Sequence, residues 1–448
     1  MINLLRKYST KFGVDGAIIY TVLSRLVQAG GGLIAIIFIA KNLTKYEQGY
    51  YFTFASIIAI QVFFELGLSS IITQYTAHEF AHLKFSEDKR LIGDDYYKSR
   101  LSSLLQFCVK WFGIISVALF VILILVGFYF FLNFNKNVEV EWQKPWIILC
   151  LSTALNLFID PILAFYDGLG EVKDMAKVRL VQRLVNLVLL VCFFSLGLKL
   201  YSSALASVIS IGINYVQILL SNRKHVLLSI WRSKSEWVID YFKEIFPYQW
   251  RIAVSWISGY FIYQLFNPVL FATEGPVVAG QMGITIQVLN GITAVVMSWI
   301  TTKIPVFSNL IATKKYNELD ILFNSTLLRV SGVYLFFLVM FDLSIWIMNY
   351  ANLPYSNRFL PLIPTIVLSF IFLFNQIIFS WATYIRCHKI EPYLLFSIVF
   401  AVLTSLSTFL LGNNYGLNGI IGGYGGLTVI SFIISYYIFI KQKNILHT

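Results

Sequence analysis

The stretch PYQWRIAVSWISGYFIYQLFNPVLFATEG occupies residues 247–275, and it predicts a membrane-spanning helix. More than twenty residues separate Pro247 from Glu274, and most of them are apolar. About 20 consecutive apolar residues are enough to cross the hydrocarbon core of a bilayer. The single charge within the stretch is Arg251, and an arginine inside a membrane span is energetically expensive. Arg251 is therefore a candidate functional residue.

The composition of the whole chain extends this prediction. Of the 448 residues, 58% are hydrophobic and 12% are charged, and the mean hydropathy is +0.74. Soluble domains average about 25% charged residues. Twelve apolar runs have the length of a membrane span: 17–40, 50–71, 105–131, 146–166, 177–198, 201–221, 248–271, 277–300, 328–350, 361–384, 391–411 and 416–440. Such runs are too long for barrel strands, so the sequence predicts an all-α membrane protein with twelve transmembrane helices.

The net charge of +12 reflects topology rather than a nucleic-acid partner. The N-terminal tail, alternate loops and the C-terminal tail hold 23 Lys and Arg, whereas the other loops hold 6. Positively charged loops stay in the cytoplasm, so both termini are predicted to be cytoplasmic. The first apolar run is too long for a cleavable signal peptide, and none is expected.

A partly polar segment divides the twelve runs into six and six. We expect an N-terminal lobe at 1–221, a cytoplasmic amphipathic linker at 222–246 and a C-terminal lobe at 247–448. In the linker, Trp237, Tyr241 and Ile245 recur every four residues, which predicts an amphipathic helix at the membrane interface. Slight evidence of a repeat comes from a glycine that opens a span in each half, in EQGYYFT (47–53) and VAGQMGIT (278–285).

Several kinds of chemistry are not expected from the sequence. It has no GxxxxGK[ST] motif, so ATP hydrolysis in a P-loop is not predicted. The four cysteines have neither metal-ligand nor redox spacing. His78 and His82 have the spacing of a metal-ligand pair, but a solvated cytoplasmic helix explains two histidines better. We therefore expect no catalytic residue, metal or cofactor.

Polar residues form stripes along five of the predicted spans, at helical spacing. Such stripes avoid lipid and face neighbouring helices or water. Their members are Arg25 and Gln28 in span 1, Gln61 and Glu65 in span 2, Asn156 and Asp160 in span 4, Arg183 and Asn186 in span 5, and Arg251, Ser255 and Ser258 in span 7. Asp342, in span 9, is a further embedded carboxylate.

The depth of the charges allows two interpretations. At 1.5 Å per residue, Arg25 and Arg183 lie roughly 6 Å from their span centres, and Arg251 lies roughly 12 Å out, all on the cytoplasmic side. In the first interpretation, Glu65 and Asp160 each neutralise one arginine in a structural ion pair. In the second, three arginines against two carboxylates leave a positive site for an anion, and the planar guanidinium suits phosphate.

Four segments carry a resemblance to a known family. The stretch from Phe246 through span 8 resembles the seventh and eighth helices of Wzx-type O-antigen flippases. These flippases transport lipid-linked oligosaccharides and belong to the polysaccharide-transport branch of the multidrug/oligosaccharidyl-lipid/polysaccharide exporter (MOP) superfamily. The segments FELGLSSIITQYTAHE (64–79), FYDGLGEVKDMAKVRLVQ (165–182) and SWITTKIPVFSNL (298–310) agree with it. The likeness spans nearly the whole chain.

The resemblance implies an architecture, a function and partners. The architecture is two six-helix lobes around a central cavity, in the bacterial cytoplasmic membrane. The function is transfer of an undecaprenyl-diphosphate-linked oligosaccharide from the inner to the outer leaflet by alternating access. Arg25, Arg183 and Arg251 would bind the diphosphate, and Gln28, Gln61, Asn156, Asn186, Ser255 and Ser258 would line the polar cavity. Besides the membrane lipid, an O-antigen polymerase and a chain-length regulator would be partners.

The energy source and the substrate leave alternatives open. Without an ATP motif, an ion gradient or downstream consumption of the product would drive transport. Glu65, Asp160 and Asp342 are the carboxylates able to bind H⁺ or Na⁺, although Asp342 could equally be a polar residue hydrogen-bonded between helices. One alternative function is a drug/cation antiporter of the same superfamily. Another is a membrane enzyme such as an O-antigen polymerase, but the outer loop 133–145 lacks histidines and clustered acids.

Overall fold

The computed structural model describes residues 16–86, 91–134, 140–220, 223–232, 237–353, 355–388 and 390–447. These residues are mostly helical. The α-helices, in chain order, are α1 (Gly16–Asn42), α2 (Lys45–Ile58), α3 (Val62–Glu65), α4 (Leu68–Phe80), α5 (Asp95–Phe134), α6 (Gln143–Gly168), α7 (Val172–Ser195), α8 (Tyr201–Leu219), α9 (Arg223–Trp231), α10 (Phe246–Tyr263), α11 (Phe266–Thr273), α12 (Pro276–Thr301), α13 (Ile304–Ala312), α14 (Tyr316–Tyr350), α15 (Leu362–Arg386) and α16 (Leu394–His447). A short antiparallel hairpin pairs β1 (Leu83–Phe85) with β2 (Leu91–Gly93).

The helices confirm a multi-pass membrane protein. Within the described ranges, nine helical segments are long and apolar enough to cross a bilayer. The most apolar window of α5 has a mean hydropathy of 2.9, yet only 28% of it is buried. Ile114, Val117 and Leu125 point outward from α5 and are each more than 60% exposed. Large apolar faces of this kind require lipid as their solvent. The count of twelve helices and the cytoplasmic termini stay predictions.

Two of the predicted spans differ from continuous helices. The predicted helix 248–271 breaks at Gln264 and Leu265, because the ring of Pro268 conflicts with the carbonyl four residues earlier. The run 50–71 is interrupted by a 3₁₀ turn at Ala59–Gln61 and by left-handed backbone after α3. The runs 391–411 and 416–440 are separate helical segments of α16 on either side of Gly416, whose backbone is not helical. A Cβ on Gly423 would lie 2.2 Å from the hydroxyl of Ser407, so the second segment folds back along the first. At that break, the carboxylate of Glu274 accepts a hydrogen bond from the amide of Leu417.

The chain forms two compact units that do not follow chain order. The first unit contains the chain up to Gly31, Ile58–Asn133 and Glu141–Ile257. The second contains Gly32–Ile57, Phe134–Val140 and Ser258–Thr448. The lobes predicted at 1–221 and 247–448 stay a prediction. The two compact units do not have the same boundaries as these lobes. Helix α2 belongs to the second unit, and the first three turns of α10 belong to the first unit.

Two glycines hold α2 within the second unit. A Cβ on Gly49 would lie 1.9 Å from the carbonyl oxygen of Pro276, and one on Gly280 would lie 2.8 Å from the amide nitrogen of Gly49. Only glycine permits this approach of the two helix starts. Beside them, the buried Gln48 donates hydrogen bonds to the carbonyls of Gly280, at 2.8 Å, and Arg358, at 3.0 Å. The glycines that suggested a repeat in the sequence are therefore packing partners.

The amphipathic helix predicted through Trp237, Tyr241 and Ile245 is wrong. Residues 237–240 are not helical, and residues 241–245 form one π-helical turn. Serine hydroxyls on α5 accept hydrogen bonds from the amides of the non-helical residues, Ser99 from Trp237 and Ser103 from Ile239. These side chains give the backbone an alternative to helical hydrogen bonds. The segment is consequently fastened to α5 instead of lying free at the interface.

An arginine on α5 completes this attachment. Arg100 pairs with Glu79 of α4, whose side chain is 3% exposed, and with Glu244 of the π-helical turn. The hydrogen bond from Arg100 lowers the pKa of Glu244 below its usual value of 4.5. A lowered folded-state pKa contributes stability above the unfolded pKa. That contribution is lost as the pH falls below about 4.5 and through the folded-state value.

Replacing Arg100 with methionine should destabilise the first unit by about 3 kcal/mol, because the buried carboxylate of Glu79 loses its partner. The measurement is thermal unfolding of the purified protein in detergent at pH 7. Lys98→Met is the matched control, because it breaks a pair with Asp95, which is 86% exposed, and should cost at most about 1 kcal/mol. Equal losses in the two variants would contradict the role of Arg100.

Candidate functional site

The predicted site residues with described side chains lie mainly in the first unit. Glu65 ends α3, Asn156 and Asp160 lie on α6, and Arg183 and Asn186 lie on α7. All five are half-buried. Helix α8 packs closely against both α6 and α7. The structure therefore places several polar stripes of the sequence next to one another.

Glu65 lies at a break between two helical segments, and sequence patterns did not predict this break. Leu66 and Gly67 both have left-handed backbone, with φ of 48° and 70°. Gly67 is required at this point, because a Cβ would also lie 2.4 Å from the side chain of Ile252. The Oγ of Ser69, on the following helix, donates a hydrogen bond of 3.0 Å to Oε1 of Glu65. The break thus fixes the carboxylate between two short helical segments.

Asp160 is the end of a chain of amide hydrogen bonds. Nδ2 of Asn156 donates to Oδ2 of Asp160 at 2.7 Å. Nε2 of Gln182 on α7 donates to Oδ1 of Asn156 at 3.5 Å. Nδ2 of Asn214 on α8 donates to Oε1 of Gln182 at 2.8 Å. Three helices therefore contribute to the surroundings of one carboxylate.

A proline follows Asp160 inside the helix. Pro161 has no backbone N–H and cannot complete the helical hydrogen bond to the carbonyl of Leu157. Freed backbone oxygens and carboxylates are hard oxygen ligands of the kind that Na⁺ takes. The helical turn that carries Asp160 therefore contains a carbonyl that receives no hydrogen bond from residue 161.

The ion pairs expected for the two carboxylates do not form among the described side chains. Arg179 pairs with Asp167 at 2.7 Å, and Nη1 of Arg183 donates to the hydroxyl of Ser24 at 2.8 Å. Asp160 interacts electrostatically with Glu65, Arg179 and Arg183 but forms no ion pair with a described residue. The side chains of Arg25 and Arg251 are not described, so neutralisation of Glu65 or Asp160 by one of the three predicted arginines stays a prediction.

The diphosphate site stays a prediction. The backbones of Arg25 and Arg251 lie in α1 and α10, but their side chains lie outside the described part of the structure. Arg183 is the member of the predicted set whose side chain is described. Its contact with the buried Ser24 joins α7 to α1, the helix that carries Arg25.

The predicted cavity-lining residues have different surroundings. Gln28 and Ser255 are exposed, Gln61 is half-buried, and Ser258 is buried in the second unit. Asn186 on α7 donates to the hydroxyl of Ser210 on α8 at 3.2 Å. Asn156 belongs to the amide chain at Asp160. Whether these residues line a substrate path stays a prediction.

Asp342 lies in the second unit, where its surroundings are neutral. The hydroxyl of Ser369 on α15 donates to Oδ1 of Asp342 on α14 at 2.9 Å. Nearby helices carry a neutral polar set: Ser331 donates to Gln376, and Asn375 donates to Tyr424. This environment agrees with the alternative that Asp342 is a polar residue hydrogen-bonded between helices.

Sequence patterns missed two members of the cluster. Gln182 precedes Arg183 in span 5, but the polar stripes give it no role. Asn214 was missed altogether. It is the first of two side-chain amides in the largely apolar helix Tyr201–Leu219, and the second is Gln217. A buried amide in an apolar helix signals a hydrogen-bond partner. That partner, Gln182, is 32 residues away in the chain and cannot be identified from spacing.

Comparisons with known proteins identify the fold. No family model matches the chain, and no curated protein does. Among solved structures, an inward-facing MATE-family multidrug resistance transporter of the MOP superfamily matches with a TM-score of 0.60 and 12% identity, over 95% of this chain and 99% of that one. An outward-facing structure of such a transporter matches with a TM-score of 0.57 and 13% identity, over 96% and 95%.

A third solved structure extends the likeness. It is an aspartate-to-asparagine mutant of the MATE transporter VcmN from Vibrio cholerae, with a TM-score of 0.56 and 13% identity, over 96% of this chain and 97% of that one. The chain therefore has the fold of MATE transporters of the MOP superfamily. All three of these solved structures are described as MATE transporters.

Proposed function

We propose that the protein is a membrane transporter that moves an undecaprenyl-diphosphate-linked oligosaccharide, such as an O-antigen repeat unit, across the bacterial cytoplasmic membrane. Movement would be from the inner to the outer leaflet, by alternating access. The fold shared with MOP-superfamily transporters supports a transporter. The sequence resemblance to Wzx-type flippases supports the substrate class, and it implies an O-antigen polymerase and a chain-length regulator as partners.

The observation that favours an anionic substrate is the arginine set on the membrane-embedded helices. Arg25, Arg183 and Arg251 lie on three different spans, whereas Arg179 is engaged with Asp167. Arg183 donates a hydrogen bond to the hydroxyl of Ser24 on α1, the helix that also carries Arg25. Guanidinium groups bind phosphate oxygens in a planar, bidentate geometry. These residues would hold the diphosphate of the lipid.

An ion gradient would supply the energy. Asp160 and Glu65 are embedded carboxylates whose described hydrogen-bond donors are the neutral side chains of Asn156 and Ser69. Embedded carboxylates of this kind bind protons or Na⁺ in pumps and transporters. Asp342 is the weaker candidate because its described bond joins two helices of the second unit. The coupling ion would be H⁺ or Na⁺.

A drug/cation antiporter is the second candidate function. The solved structures with this fold favour it, because several are multidrug transporters by description. Another match is a MOP superfamily transporter from Pyrococcus furiosus, with a TM-score of 0.50 and 12% identity over 95% of both chains. It has been described as having a binding pocket of reverse polarity that suggests a different function. This fold is therefore compatible with cargoes of different charge.

Two parallel assays should distinguish the candidates. The unmodified protein should restore surface glycan in a strain that lacks its O-antigen flippase, and it should leave drug susceptibility unchanged in a strain that lacks its drug exporters. Membrane levels of the protein are measured in both strains. Drug resistance without glycan restoration would favour the antiporter and overturn the lipid-linked substrate.

A further inference from the structure

A buried asparagine on α8 is connected to the carboxylate of Asp160 through two other amides. Each hydrogen bond in this chain is donated toward Asp160: Asn214 to Gln182, Gln182 to Asn156, and Asn156 to Asp160. The structure assigns Asn214 as a positioning residue that sets the cation affinity of Asp160. This inference rests on the proposed ion coupling at Asp160, and it adds a residue that contacts neither the ion nor the substrate.

The direction of the hydrogen bonds explains how Asn214 acts. By donating to Oε1 of Gln182, Asn214 fixes which end of that amide faces Asn156. Gln182 then presents its NH₂ group to Oδ1 of Asn156, which leaves the NH₂ group of Asn156 to face Asp160. A reversal at Gln182 would present oxygen to oxygen at Asn156. The asparagine amide would then rotate, and the carboxylate would lose its donor.

Packing alone does not explain Asn214. The residue is 0% exposed, and its Oδ1 is buried without a hydrogen-bond partner in the described part of the chain. A buried polar atom without a partner destabilises the folded protein, and an apolar side chain of similar size avoids that loss. Asn214 therefore does more than fill space, because its NH₂ group donates to Oε1 of Gln182. Outer-sphere partners that orient ion ligands are such a use.

The charged groups around Asp160 act on it independently of the amide hydrogen bonds. Glu65, Arg179 and Arg183 all interact with it electrostatically, and Tyr215 of α8 lies within the range of its charge. None of these residues exchanges a hydrogen bond with Asn214 in the described part of the chain. Substitution of Asn214 thus changes the orientation of amides without altering the charges that face Asp160.

The test uses Asn214→Leu, which removes the donor and keeps the number of heavy atoms and the branching at Cγ. In proteoliposomes, the half-saturating concentration of the coupling cation should rise about 10-fold, with little change in the maximal transport rate. Na⁺ and protons are titrated separately. Ser210→Ala is the matched control, because Ser210 is equally buried on the same helix and bonds to α7 outside the amide chain. It should remain within about twofold of the unmodified protein.

A second variant separates positioning from general destabilisation. In a Gln182→Leu background the chain is already broken, so Asn214→Leu should have little additional effect on cation affinity. Additive effects of the two substitutions would overturn the assignment. Asn214→Ala covers the case in which leucine fails to fold, and size-exclusion profiles identify that case.

Infrared difference spectra distinguish failure of this inference from failure of the proposed coupling. Cation addition should change a carboxylate band that disappears in Asp160→Asn, and Asn214→Leu should shift its titration about 10-fold. If the unmodified protein lacks that band, the coupling at Asp160 fails, and the role of Asn214 fails with it. If the band is present and titrates identically in Asn214→Leu, the assignment of Asn214 alone is overturned.

Discussion

Replacement of Asp160 with asparagine should abolish gradient-driven transport and leave a folded protein in the membrane. An amide of the same shape cannot bind a proton, and it attracts a cation far less than a carboxylate does. In the unmodified protein, Nδ2 of Asn156 donates to Oδ2 of Asp160 at 2.7 Å. The local fold should survive because an asparagine at position 160 keeps an oxygen that can accept this hydrogen bond. The measurement is substrate transport in proteoliposomes under imposed proton and Na⁺ gradients.

Two further carboxylates give a graded comparison for Asp160→Asn. Glu65→Gln should weaken coupling, because Glu65 and Asp160 interact electrostatically. Asp342→Asn should have little effect, because an asparagine oxygen can still accept the hydrogen bond from Ser369. Gradient-driven transport that survives Asp160→Asn at normal protein levels would exclude Asp160 as the coupling site. A selective loss in Asp342→Asn would move that site to the second unit.

The membrane helices could be predicted from sequence because the bilayer imposes a length and a polarity on every span. The breaks within them could not. Pro268 and Gly67 were visible in the sequence, but a glycine or proline in a long apolar run is compatible with both a straight and a broken helix. Gly67 becomes informative only when Ile252 of α10 is placed against it. The break beside Glu65 therefore depends on tertiary contact.

The packing of α2 shows the same limit. Six spans on each side of a polar segment predict two lobes in chain order, and those lobes stay a prediction. The contacts of Gly49 and Gln48 hold α2 within the second unit, and spacing along the chain does not indicate these contacts. Helical faces that contact protein and faces that contact lipid are both apolar, so hydropathy does not identify the neighbour of a helix.

The candidate site was predictable where its residues share one helix. Asn156 and Asp160 are four residues apart, and their hydrogen bond follows from helix geometry. Ser24, Gln182 and Asn214 joined the site through contacts between helices, over 26 to 159 residues of chain. The helix predicted in the linker was wrong for a related reason. Serine hydroxyls on α5 accept hydrogen bonds from the backbone amides of the linker, and residue spacing within the linker does not reveal these serines.

The two arginines of α7 provide a test of diphosphate binding, because they lie one turn apart and have different partners. Arg179 pairs with the carboxylate of Asp167, so its charge is locally neutralised. Arg183 donates to the hydroxyl of Ser24 and lies roughly 6 Å from its span centre, where extension of the side chain to the interface is difficult. Diphosphate binding and helix–helix bonding predict different results for Arg183.

If Arg183 binds diphosphate, Arg183→Lys should reduce surface glycan about 10-fold, because an ammonium group keeps the charge but loses the planar pair of donors. Arg183→Ala should reduce it further. If Arg183 serves only to join α7 to α1, lysine can still donate to Ser24, and Arg183→Lys should be nearly silent. In that case Ser24→Ala, which removes the same hydrogen bond from the other side, should match Arg183→Ala.

The assay is restoration of surface glycan in a strain that lacks its O-antigen flippase, with membrane levels of each variant measured in parallel. Arg179→Lys is the control for loss of a guanidinium on the same helix. Because Arg179 already pairs with Asp167, this variant should lose less surface glycan than Arg183→Lys. Normal glycan in both Arg183 variants would remove Arg183 from the diphosphate site and leave Arg25 and Arg251 to bind the anion. A loss in Arg183→Lys with normal glycan in Ser24→Ala would mean that the guanidinium acts on something other than Ser24. That result would support diphosphate binding, because a guanidinium group can form two parallel hydrogen bonds to phosphate oxygens and an ammonium group cannot.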